Sequence, residues 1–239
     1  MARKRITEED LLAFQEESQR LSQEVEVKYD AMDRVAKERE QAPGVRELGF
    51  VLLHDSAADE GQLRPFAGRA KAADCAVELV KVNGYRPRDR FDRTPQWQRR
   101  LEQAQAGYLS VSERAGRVVV VGAGESCPTA LILAEQYPVD ALVLVGGGPR
   151  TRPFADRNLS RLCSIARSNL FSVVCPVLSL VPEDCGRLSP AAAADYQRYT
   201  RSSRVVHHPL AGKKDTDVWT EMENELTNRI FAFLRGEDM

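Results

Sequence analysis

The sequence predicts an α/β fold, a parallel β-sheet covered by helices on both faces and preceded by an amphipathic helix. Two observations carry this. From residue 45 onward, short runs of consecutive apolar residues alternate with helical stretches, and a strand buried on both faces reads as such a run. Residues 6–41 form a different block, highly charged and free of glycine and proline.

That first block opens with Thr7 followed by Glu8, Glu9 and Asp10, a helix N-cap with acids in the first turn, where the helix dipole favours negative charge. Leu11, Phe14, Leu21, Val25, Met32 and Val35 fall on heptad a and d positions, interrupted by Ser18 and Lys28. So narrow a stripe suits docking on the chain's own domain, pairing with a second copy as a homodimer, or a loosely ordered arm. Ala42-Pro43-Gly44 ends the helix. The expected division is a helical extension over residues 1–44 and an α/β domain over 45–239.

Within the domain, strands are expected at Phe50–His54, Ala76–Val82, Val118–Gly122, Ala141–Gly146, Pro176–Val181 and Arg204–His208. Helices are expected near 62–73, 95–115, 128–137, 156–169, 190–201 and 217–235. The last places Val218, Met222, Leu226, Ile230, Phe233 and Leu234 on one face, as docking on a sheet requires. Trp97 and Trp219 sit in helices as core anchors.

Composition narrows the function classes. A chain of 239 residues with 43% hydrophobic and 29% charged residues is that of an ordinary globular protein with a full core. A net charge of -1 gives no reason to expect nucleic acid or a membrane surface as a partner. No apolar run reaches transmembrane length. The start, MARKRITEED, carries charge where an export signal needs an apolar core. The five cysteines are odd in number and lack C-x-x-C spacing, which points to reduced thiols in a cytoplasm and to no metal site. No cofactor is expected.

The chemistry concentrates at residues 117–138, RVVVVGAGESCPTALILAEQYP. A nucleophile elbow needs a buried strand, then G-x-S-x-G in a strained turn, then a helix. Here the strand is Val118 to Val121, the first glycine is Gly122, and the nucleophile position falls on Gly124. Glycine has no oxygen with which to form an acyl-enzyme. The same residues also read as the start of a dinucleotide fingerprint, G-x-G-x-x-G. Cys127 replaces its third glycine, no acid follows at the end of the next strand, and two strands precede it, so a nicotinamide or flavin site is disfavoured.

Residues 49–235 resemble the α/β-hydrolases of the carboxylesterase and monoacylglycerol-lipase type. The matching segments run in order: GFVLLHDS (49–56), Arg93 to Trp97 with the helix after it, the elbow, AEQYPVDALVLVGG (134–147), CPVLSLVPED (175–184), HPLAGKKD (208–215) and FAFL (231–234). The resemblance implies an oxyanion turn at His54, Asp55 and Ser56 with Glu125, a catalytic acid at Asp184 or Cys185, and a catalytic histidine at Lys213. Lysine titrates near about 10.4, far above a useful general base. Asp55 stands where the family has glycine, and a carboxylate there opposes the charge of a developing oxyanion. Gly124, Asp184, Cys185 and Lys213 thus read as vestigial positions, and the resemblance implies a degenerate triad.

A shifted elbow, Gly124-Glu125-Ser126-Cys127-Pro128, offers Ser126 or Cys127 as a fallback nucleophile. Cys127 at a helix N-terminus gains acidity from the dipole, and Lys213 supplies a Ser-Lys pair. This register shortens the following helix by two residues and still lacks a histidine, because His207 and His208 precede the required loop. The bland alternative has Ser126 and Cys127 capping the helix and filling a closed pocket. A thiol pair of Cys127 and Cys185 is a further variant.

Arg86, Arg88, Arg90 and Arg93 follow the second strand, and Arg150, Arg152, Arg157 and Arg161 follow the fourth. In a doubly wound sheet these loops share the carboxyl edge, where ligands bind. They form either a basic mouth for a phosphate, carboxylate or acidic partner, or a solvated face neutralised by Asp89, Asp92 and Asp156. The loop from Gly147 to Leu170 is short for a lipase lid. The expected function is therefore binding of a small anionic ligand or a protein partner by a non-catalytic hydrolase scaffold. The alternative is an active serine or cysteine hydrolase using Ser126 or Cys127.

Overall fold

The computed structural model describes residues 20, 23, 27, 30, 31, 34, 45–55, 57–85, 93–147, 157–182, 200–202, 204–210 and 223–237. In the N-terminal block the six described residues are helical and exposed. The apolar heptad positions lie outside the described residues.

The domain alternates strand and helix: β1 (Arg46–His54), α1 (Ala57–Ala72), β2 (Ala76–Lys81), α2 (Gln96–Ser112), β3 (Ala115–Ala123), α3 (Cys127–Gln136), β4 (Ala141–Val145), α4 (Arg157–Ser168), β5 (Val177–Pro182), β6 (Val205–Leu210) and α5 (Glu223–Leu234). The six strands form one sheet in the order β2-β1-β3-β4-β5-β6, and every pairing is parallel. The apolar runs VVVV of β3 and ALVLV of β4 are buried along their whole length, as strands covered on both faces must be.

Side chains alternate across the strands and build two cores. Val51, Leu53, Val118, Val120, Leu142 and Leu144 face Ala104, Tyr108 and Val111 of α2, Leu131 of α3 and Leu162 of α4. Phe50, Leu52, Val119, Val121, Val143, Leu178 and Leu180 face Leu63 and Phe66 of α1 and Leu226, Ile230 and Phe233 of α5. The parallel sheet with helices on both faces is thus as the sequence predicts.

Four boundaries differ. Strand β1 begins at Arg46, four residues before the expected Phe50. Helix α1 begins at Ala57 rather than near 62, so Pro65 sits inside it instead of in its first turn. Helix α2 stops at Ser112, and β3 starts at Ala115, three residues before its apolar run. Ala115 and Arg117 pair with Arg46 and Leu48 of β1, a tertiary ladder that no local pattern announces. The last strand runs on to Leu210, so Pro209 is the strand residue opposite Val181. The expected helix near 190–201 and the first turn of the one near 217–235 lie outside the described residues.

Candidate functional site

The chain leaves β1 towards β2 on one side and later returns to place β3 on the other side of β1. The carboxyl ends of β1 and β3 therefore flank the point where the strand order reverses, the place where open α/β sheets bind ligands. There β3 passes at Ala123 into a single 3-10 turn, Gly124–Ser126, and then into α3. The turn is sharp because Gly124 takes φ 56°, a left-handed conformation that glycine adopts at little cost. Gly122 is needed for close packing: a Cβ there would lie 2.8 Å from the Ala130 Cβ and 3.0 Å from the Cys127 Cα. The turn is thus a tight strand-turn-helix with Gly124 at positive φ.

Ser126 occupies the N-cap position of α3 but does not cap it. Its hydroxyl points back: it accepts the Ala123 N–H at 2.8 Å and lies 2.7 Å from the Leu53 carbonyl and 2.8 Å from the Ala123 carbonyl, either of which its single proton can reach. The side chain is fully buried. It fastens the turn to the end of β1. Cys127 is also fully buried, its Sγ 3.3 Å from the Gly122 carbonyl and 3.8 Å from that of Val145. Buried thiols of this kind pack rather than react. Both fallback nucleophiles are enclosed in the turn.

On the opposite wall, His54 is buried at the end of β1 and its carbonyl accepts the Val82 N–H at 2.7 Å. Asp55 and Glu125 are half-buried. Ser56, Asp184, Cys185 and Lys213 lie outside the described residues, as do Arg86, Arg88, Arg90, Arg150 and Arg152. The described ends of those arginine-bearing segments do meet. Asn158 Nδ2 donates to Gln96 Oε1 at 2.9 Å, and the Arg161 guanidinium lies 6.0 Å from the Trp97 ring centre. Arg93, Arg157 and Arg161 are exposed there.

Sequence reasoning passed over Arg100. It is 6% exposed, on the inner face of α2. Its spacing from Ala104, Tyr108 and Val111 was the available signal, since residues so spaced share one helix face. Cys75 and Cys163 are packing thiols, and burial pushes Cys163 up to about 12. Among the described residues no group of acidic, histidine and cysteine side chains is arranged to hold a metal.

His207 and His208 both lie in β6, before the loop that a catalytic histidine requires. His207 is the register partner of Ser179, yet Ser179 Oγ and His207 Nδ1 have no hydrogen-bond partner among the described residues. His208 Nδ1 sits 3.2 Å from Arg229 Nη1. Burial lowers the His207 pKa, and burial together with the Arg229 charge lowers that of His208. The sign follows. Below about 6.5 the unfolded chain takes up protons that the folded chain refuses, so stability present in full above that pH is lost as pH falls. The urea midpoint should drop between pH 7.5 and 5.5, before ordinary carboxylates titrate, and His207→Asn should flatten the drop. An unchanged slope in the variant would refute this assignment.

A doubly wound parallel sheet with a tight strand-turn-helix at its switch point defines the class. The chain has the α/β-hydrolase fold. No family model matches it, and no curated protein does. Solved structures do. A structure from the metagenome-derived lipolytic enzymes LipS and LipT is similar at a TM-score of 0.65 and 14% identity, over 82% of this chain and 99% of that one. The monoacylglycerol lipase of Paleococcus ferrophilus gives 0.61 and 11%, over 80% and 95%. The peroxisomal alpha-beta-hydrolase Lpx1 of Saccharomyces cerevisiae gives 0.61 and 12%, over 83% and 81%.

Proposed function

We propose that this chain is a catalytically degenerate member of the α/β-hydrolase fold that binds a small anionic ligand or a protein partner. One observation carries the reading. The residue at the vertex of the elbow, held at positive φ between β3 and α3, is Gly124 and has no nucleophile to offer. The serine two residues on is spoken for: its oxygen is buried and bonded to the backbone on both sides of the switch point. A nucleophile needs an exposed oxygen and an adjacent base, and Ser126 has neither among the described residues. The exposed Arg93, Arg157 and Arg161, at the described ends of the two arginine-bearing segments, support an anionic ligand. The described cysteines Cys75, Cys127, Cys163 and Cys175 are buried and form no disulfide, which supports a reduced, cytoplasmic setting, and the exposed N-terminal helical residues leave pairing with a second copy open to a sizing experiment.

The test is intact-mass analysis after a broad fluorophosphonate probe, on the wild type and on Ser126→Ala. The expected result is no adduct on the folded wild type, and a stability loss of about 1–3 kcal/mol in Ser126→Ala from unmade buried hydrogen bonds. An adduct that maps to Ser126 and vanishes in the variant would make the protein a hydrolase with a shifted elbow.

A further inference from the structure

Arg100 presents a physical problem. A guanidinium is charged at every pH the protein meets, and burying an unpaired charge is costly. Yet Arg100 is 6% exposed, and its Nε and Nη1 have no acceptor among the described residues. A buried guanidinium with two nitrogens lacking acceptors among the described residues suits an anion that would supply them.

A second orphan stands at the matching place on the neighbouring helix, counted from a contact that the two helices share. Helices α2 and α3 run side by side from the carboxyl to the amino edge of the sheet, and Tyr108 of α2 meets Tyr137, the residue just past the end of α3, with ring centres 4.9 Å apart. Eight residues back along each helix, about 12 Å at the helical rise, stand Arg100 on α2 and Thr129 on α3. Thr129 is fully buried, and its Oγ1 also has no hydrogen-bond partner among the described residues. Thr129 lies in the first turn of α3, which contains no acid and has no side-chain cap. The first turn of α2 likewise has no acid and no cap. Both helix dipoles therefore direct their positive ends towards this region, and the acid adjoining α3 is Glu125 in the preceding 3-10 turn.

We propose that Arg100 and Thr129 form a binding site for a tetrahedral oxyanion, a phosphate group, between the N-terminal turns of α2 and α3. Three donors, Nε and Nη1 of Arg100 and Oγ1 of Thr129, lack acceptors among the described residues, and a phosphate group offers at least three terminal oxygens where a planar carboxylate offers two. The site lies on the carboxyl side of the sheet, next to the glycine-vertex turn. The proposal rests on the anionic-ligand reading above and names the residues and anion class that serve it.

Inorganic phosphate is the probe, titrated by calorimetry and by thermal unfolding against chloride at matched ionic strength. The wild type should bind phosphate and unfold at higher temperature in its presence. Arg100→Met should lose at least about tenfold in affinity while remaining no less stable than the wild type in chloride. Arg100→Lys, which keeps the charge but not the fork, and Thr129→Val, which keeps the shape but not the hydroxyl, should each weaken binding and provide the test if Arg100→Met does not fold. A shallow cavity of about 200 Å³ at the amino edge, lined by Arg117, Asp140, Arg204 and Arg235, is the competing basic surface, and Arg117→Met should leave binding unchanged. Phenyl phosphate tests whether the anion enters free or on an organic group: binding of both places the site open to the cleft, and binding of inorganic phosphate alone makes it an enclosed ion site. Phosphate without effect on the wild type, or an affinity unchanged in both Arg100 variants, overturns the assignment. Neither result bears on whether a fluorophosphonate labels Ser126, so the two readings fail separately.

Discussion

Gly147→Ala should cost more than about 3 kcal/mol, above the usual range for overpacking a core. Gly147 is buried just past the end of β4, and a Cβ on it would lie 2.1 Å from the Gly124 carbonyl oxygen, 2.9 Å from the Gly124 carbonyl carbon and 2.7 Å from Cys127 Sγ. The first two are backbone, fixed by the positive φ of Gly124 and by the Ser126 bonds across to β1. No rotamer change relieves them, so either the turn or the β4 exit must move. Gly68→Ala is the matched control: nothing lies within 4 Å of its Cβ, and in the middle of α1 alanine should stabilise by roughly 0.5–1 kcal/mol. Urea unfolding of the two variants reads both signs. If Gly147→Ala unfolds at the wild-type midpoint, the close approach of the β4 exit to the elbow is wrong.

Much of the fold is legible in the sequence because its signals are local and mutually consistent. VVVV and ALVLV can be buried only on both faces, and each is followed by a helical pattern of the length a parallel crossover needs. What is not legible depends on partners far along the chain. Ala115-Gly116-Arg117 has no apolar run, and its strand character comes from pairing with β1, some seventy residues earlier. The helix expected near 62–73 is longer at its start, where it runs from Ala57 with Pro65 inside it, and Leu63, Phe66 and Ala70 pack it on the sheet.

The candidate site divides the same way. Its centre, Gly122 and Gly124 at a strand-to-helix turn, is a spacing motif and is read directly. The state of Ser126 is not, because its hydroxyl is occupied by the Leu53 carbonyl, which the sequence separates by 73 positions. Read locally, a serine before a helix is a cap. Read in the fold, it bonds backwards across the switch point. Arg100 is hidden for a related reason: an arginine beside another arginine on a polar-looking helix suggests solvent, and only its phase with Ala104 and Tyr108 places it inward.

Phe50→Ala should be comparably damaging, at about 3–5 kcal/mol for a large-to-small core change. Phe50 is fully buried in β1. Its ring meets Phe66 of α1 edge-on at 5.2 Å and Phe231 of α5 at 5.8 Å, and each such pair adds about 0.5–1.5 kcal/mol beyond area burial. One side chain therefore ties the first strand of the sheet to the helix that follows it and to the last helix of the chain. Against a total of about 5–15 kcal/mol for a domain, its loss removes a large fraction of the stability. Tyr85→Ala is the contrast: that ring is 72% exposed, and its removal should stay within about 0.5 kcal/mol. Because α5 is joined to the sheet through Phe231, Leu226, Ile230 and Phe233, Phe50→Ala should also raise amide exchange in α5 more than in α3, on the opposite face. Equal exchange in the two helices would mean that Phe50 stabilises the sheet as a whole and does not anchor α5 in particular.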